Sequence, residues 1–77
     1  MRKTELYQKS SGNSGQFVDH WFLVHADDGT YQVEYQWINK MGLGRKDVEG
    51  SAIYSINEAL NRAPAEAIDA LKRELDI

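Results

Sequence analysis

The chain predicts an α+β fold, an antiparallel three- or four-stranded sheet followed by two C-terminal helices packed on one face. Three observations predict it. Tyr31, Val33, Tyr35 and Trp37 alternate with Thr30, Gln32, Glu34 and Gln36, which is the period of a strand with one apolar face. Asp27-Asp28-Gly29 precedes that run and follows another rich in aromatic and β-branched residues, as a hairpin turn would. Beyond residue 54 the apolar spacing becomes helical. Strands first and helices after is the α+β order.

The elements follow in turn. Thr4 to Lys9 is a short first strand, with Leu6 and Tyr7 as its bulk. Ser10-Ser11-Gly12-Asn13-Ser14-Gly15 has no side chain fit for packing and is expected to be a mobile surface loop. Gln16 to Ala26 and Thr30 to Ile38 form the second and third strands. Lys40 to Asp47 is a turn or an irregular arm, and a fourth strand lies within Gly44 to Val48 or within Ser51 to Tyr54. Ser55-Ile56-Asn57-Glu58 reads as a capping box that opens a helix over Ile56 to Arg62. Ala59, Leu60 and Ala63 form its stripe. Pro64 suits the first position of a second helix reaching Leu75, with Ala67, Ile68, Leu71 and Leu75 on one face. Asp69 and Arg73, four apart, add modest ion-pair support.

The chain has 77 residues and forms one domain, 1–77, with a small core. It contains no cysteine, so neither disulfides nor thiolate ligands hold it together. Its first residues include no apolar h-region, and no apolar run is long enough to span a bilayer. The expectation is a soluble, cytoplasmic protein. The formal charge of -3 is too mild for a polyanion binder. Residues 1–46 carry net +1 and residues 47–77 net -4, so the helical end is the acidic one.

Turn geometry decides which apolar residues face outward. A two-residue type I′ turn at Asp28-Gly29 sets Phe22 opposite Tyr35 and Val24 opposite Val33, leaving Trp21 and Leu23 beside Gln36 and Glu34. A three-residue loop, with Gly29 left-handed, sets Trp21 opposite Tyr35 and Leu23 opposite Val33. Phe22 and Val24 then lie beside Glu34 and Gln32. The three-residue loop is preferred, because both aspartates suit right-handed turn positions and glycine the left-handed one. In either register Tyr31, Val33, Tyr35 and Trp37 face the helices, and a large apolar pair lies on the opposite face. Either the first strand or the Ser/Gly loop covers that pair, or it is a contact patch for a partner or a second copy. The candidate partner-binding set is Phe22, Val24, Gln32, Glu34 and Gln36, with Trp21 and Leu23 replacing the first two in the other register.

Catalytic and metal-binding patterns are not recognisable. His20 and His25 are five apart and point to opposite faces of a strand, with no third ligand at metal spacing. The serines lie in the loop and at the helix cap, where backbone hydrogen bonding accounts for them. Gly42-Leu43-Gly44 lacks the spacing of a phosphate-binding loop. The expectation is no enzyme and no cofactor. Lys40, Arg45 and Lys46 are the candidate nucleic-acid contacts, with the aromatic residues as stacking platforms.

The layout resembles small phage-encoded inhibitors of the anti-CRISPR kind. VHADDGTYQVEYQW stands as the hairpin, GLGRKDVEGSAIYS as the returning segment and INEALNRAPAEAIDALKREL as the paired helices. The hairpin followed by the capped helix Asn57-Glu58-Ala59-Leu60 is also similar to the N-terminal part of HicB-like antitoxins, without their C-terminal DNA-binding module. The first resemblance implies a non-catalytic inhibitor. Such a protein docks on a host protein or nucleoprotein complex of a defence system and blocks its nucleic-acid path. A small nucleic-acid-binding accessory protein and a self-associating subunit, paired through its first or second strand, are the alternative readings.

Overall fold

The computed structural model describes residues 1–12, 16–40, 44 and 46–77. Four strands, β1 (Arg2–Ser11), β2 (Phe17–His25), β3 (Tyr31–Asn39) and β4 (Val48–Tyr54), form one antiparallel sheet in sequence order. Helices α1 (Ile56–Arg62) and α2 (Ala65–Leu75) follow. This is the α+β layout that the sequence predicts. No helix among the described residues is long and apolar enough to cross a membrane.

The hairpin takes the three-residue loop. Trp21 pairs with Tyr35 and Leu23 with Val33. Gly29 adopts φ +88° and donates its N–H to Ala26 O at 3.1 Å, and Ala26 N–H reaches Thr30 O at 3.0 Å. Asp28 Oδ1 accepts from Thr30 N–H at 3.0 Å and from Thr30 Oγ1 at 2.7 Å. These bonds hold the Asp28 carboxyl below its ordinary range, the Thr30 hydroxyl contributing most and the Thr30 N–H next.

Several boundaries move. β1 is longer than expected and absorbs Ser10 and Ser11, while positions 13–15 of the expected loop lie outside the described residues. β1 also carries a bulge between Glu5 and Tyr7, with Leu6 as the extra residue. β4 spans Val48–Tyr54, so the later of the two expected locations is right, extended toward the N-terminus by three residues. Gly50 hid that extension. A Cβ there would lie 2.2 Å from Trp37 Cζ2, so the indole occupies the place of the missing side chain.

The capping box forms as predicted. Ser55 Oγ accepts from Glu58 N–H at 3.2 Å, and Glu58 Oε1 accepts from Ser55 N–H at 3.2 Å. Pro64 is the N-cap of α2 rather than its first residue, with ψ 157° and its carbonyl accepting from Ile68 N–H at 3.0 Å. The Asp69 and Arg73 side chains form no ion pair within 4.0 Å.

The core lies between the sheet and the helices. Trp21, Leu23, Val33, Ala59, Ala67 and Leu71 form it, with Leu6, Tyr7, Tyr35 and Tyr54 packed around them. The small Ala59 and Ala67, both 1% exposed or less, let the helices approach the aromatic layer closely. Trp21 stacks on Tyr35 with ring centroids 4.5 Å apart and an interplanar angle of 20°. The strands reach beyond this cluster. Helices of 7 and 11 residues extend about 10 and 16 Å, against about 30 Å for a nine-residue strand. Trp37 shares the helix-side face but is not part of the core cluster, and Tyr31 on that face is 41% exposed. The expectation that all four alternating residues of β3 meet the helices therefore holds for Val33 and Tyr35 only.

Candidate functional site

The register assigns the helix-free face residue by residue. Four cross-strand rows cover it. They are Lys3, Val24 and Gln32; Glu5, Phe22, Glu34 and Ile53; Gln8, His20, Gln36 and Ser51; and Ser10, Val18, Ile38 and Glu49. Phe22, Val24, Gln32, Glu34 and Gln36 thus stand together, as the preferred register predicts. Trp21 and Leu23, their alternatives, are buried at 6% and 3% exposure beneath the helices.

One correction concerns Val24. It is only 4% exposed although no helix lies over it, so it brings almost no accessible surface to a partner. Being on an inner strand, it is flanked by Lys3 and Gln32 in its own row and by Phe22 beside it. Val18 is buried in the same way at 8%. Phe22 is half-buried, with Lys3 Nζ 6.0 Å from its ring centroid and the His20 ring stacked at 5.7 Å and 3°. The outward apolar pair of the sequence reading reduces to one partly covered aromatic ring.

Polar groups bind the face together. Glu34 Oε1 accepts from Lys3 Nζ at 2.5 Å and from Gln36 Nε2 at 3.1 Å. Lys3 lies outside the sequence-derived set, yet the pairing Lys3 to Val24 places it at the β1 edge of the face, from which its ammonium reaches Glu34. His20 Nδ1 comes within 3.4 Å of Glu5 Oε1 but makes no hydrogen bond, and it is buried. The two histidines do point to opposite faces, His25 lying against Tyr31 on the other side at 4.2 Å.

Sequence reasoning missed Ile53. It sits on β4 beside Glu34, is 53% exposed, and extends the face to the sheet edge. Only the β3–β4 register puts it there, and no turn signal fixed that register in advance. A shallow hollow on β3 and β4 is lined by Gln36, Trp37, Ile38, Glu49, Gly50 and Ser51.

On the helix side Tyr35 Oη donates to Asp19 Oδ1 at 2.6 Å. Burial, followed by this bond and the charge of Asp19, pushes the Tyr35 phenol up to about 12. Of the basic arm, Lys40 and Lys46 are exposed, and Arg45 lies outside the described residues. Among the described residues no three His, Asp or Glu side chains converge as a metal site would require. Comparison of the chain with protein-family models, with curated proteins and with solved structures finds no match.

Proposed function

We propose that the chain is a non-catalytic protein-interaction module that docks through the helix-free face of its sheet. The observation that carries this reading is Phe22, a half-buried aromatic surrounded by Lys3, Gln32, Glu34 and Gln36 on a face that neither helix covers. An aromatic anchor within a polar rim is the usual anatomy of a protein interface. The paired Lys3 and Glu34 arrive already positioned, so little side-chain freedom is lost on docking. The resemblance in layout adds the finer reading, an inhibitor from a phage or mobile element that blocks the nucleic-acid path of a host defence nucleoprotein complex.

Affinity capture with Phe22→Ser and Gln32→Arg as controls tests both levels. The expected result is one nucleoprotein complex recovered at fixed stoichiometry by the wild type and lost with either variant, each retaining its circular dichroism. Recovery indifferent to both substitutions overturns the docking face. Recovery abolished by nuclease treatment instead favours direct nucleic-acid contact through Lys40, Arg45 and Lys46.

A further inference from the structure

The two edges of the sheet are built differently. β1 carries the charged side chains of Arg2, Lys3, Glu5 and Lys9, is bent by its bulge, and has α2 packed along it. Charge, bulge and cover are the devices that keep an edge strand from pairing with another chain. β4 is less protected: it has no bulge, and the helix that packs against it is the short α1. Its sequence VEGSAIY holds one charge, Glu49, and its seven residues pair with β3 without a register shift. Val48 and Ile53 are each 53% exposed.

A second observation lies on the helix side. Past the core cluster come the rows Lys9, Asp19, Trp37, Gly50 and Ser11, Phe17, Asn39, Val48. Phe17 is 41% exposed and Val48 53%. This end of the sheet carries apolar side chains beyond the helices, and it borders the β4 edge.

The geometry points to a second copy of this chain as the occupant of that edge, with β4 pairing antiparallel to β4 about a two-fold axis at Ser51. This pairing uses all seven residues. Ser51 opposes Ser51, Gly50 opposes Ala52, Glu49 opposes Ile53 and Val48 opposes Tyr54. Facing residues stay on the same side of the joined sheet, so the two-fold makes one eight-stranded sheet with all four helices on one face. It separates the two Glu49 carboxylates by about 13 Å along the strands, whereas an axis at Glu49 would oppose like charges. It also sets the bare Val48 end of each copy beside Tyr54 and the start of α1 in the other. Those helices stand at opposite ends of the seam, about 20 Å apart, and do not collide. The open β4 edge and the exposed Val48 are thereby satisfied by one contact. It goes beyond the docking face centred on Phe22, which remains open in such a dimer.

Sedimentation equilibrium on the full chain tests this with three variants at the exposed Ser51. The wild type is expected to shift toward twice 8.8 kDa as concentration rises. Ser51→Lys and Ser51→Glu each set like charges opposite one another and weaken association by up to about fivefold. Mixing the two variants restores it, and Ser51→Thr leaves it unchanged. A wild type that stays monomeric up to about 1 mM overturns the proposal. So does a dimer indifferent to Ser51→Lys, or a pair of charge variants that fail to recombine. Circular dichroism confirms that each variant is folded before its mass is read.

Discussion

The two sides of β2 are both apolar, and they are buried by different means. Trp21 and Leu23 lie under helices, against Leu71, Ala59 and Ala67. Among the described residues, Phe22, Val24 and Val18 are covered by the side chains of neighbouring strands and by no helix. The first kind of cover is backbone-anchored and excludes water. The second is made of side chains on neighbouring strands, among them Lys3, Gln32 and Ile38, with no second layer of backbone over them. That difference explains why consecutive apolar residues in Trp21-Phe22-Leu23-Val24 are compatible with one helical layer. An inner strand is shielded by its neighbours on the face that no helix reaches.

Substitutions on the two sides should separate these means of burial. Leu23→Ala opens a cavity between sheet and helices and should cost about 2–5 kcal/mol, measured by urea unfolding. In a domain this small that is a large part of the total stability. Val24→Ala, equally buried, loses two carbons at about 0.8 kcal/mol each, or ~1.6 kcal/mol, with little added for a cavity because its cover can settle. Equal losses at both positions would show the helix-free side to be as rigid as the core. Ser55→Ala removes the cap that starts α1 immediately after β4 and should cost about 1 kcal/mol. A double-mutant cycle on Lys3 and Glu34 should give about 0.2–1 kcal/mol, fading with salt, since Lys3 is 42% exposed. A larger coupling would mean that this pair clamps Phe22 rather than merely shading it.

A further effect concerns pH. Tyr35 keeps its proton to about 12 in the folded chain, against about 10 unfolded. The folded state therefore binds more protons between these values, and stability should fall as pH rises through that window. Tyr35→Phe should flatten this part of the alkaline unfolding profile, and a slope that persists would assign it to another group. On the acid side Asp28 is depressed, so its contribution is present above the ordinary aspartate value and is lost as pH falls through the folded one.

Local chemistry made much of the fold legible. Asp27-Asp28-Gly29, the Ser55 box and the spacing of Ala67 and Leu71 each act within a few residues, so the letters alone locate the turn and both helices. The length of β1 and the start of β4 were not legible, because edge strands need no apolar alternation and Gly50 reads as a loop until Trp37 is seen lying over it. The candidate site follows the same division. Gln32, Glu34 and Gln36 share a face by simple alternation and were found. Lys3 and Ile53 join them only through pairing with strands whose registers no local signal specifies.

The turn at Gly29 has a consequence for how the chain folds. Shifting β2 by one residue against β3 exchanges one greasy pair for another, so burial alone separates the two hairpins poorly. The left-handed glycine and the Asp28 to Thr30 bonds must make the choice, and they can do so before any helix has docked. A misaligned hairpin is thus a competitor to the native state, and three neighbouring residues, Asp28, Gly29 and Thr30, hold it off.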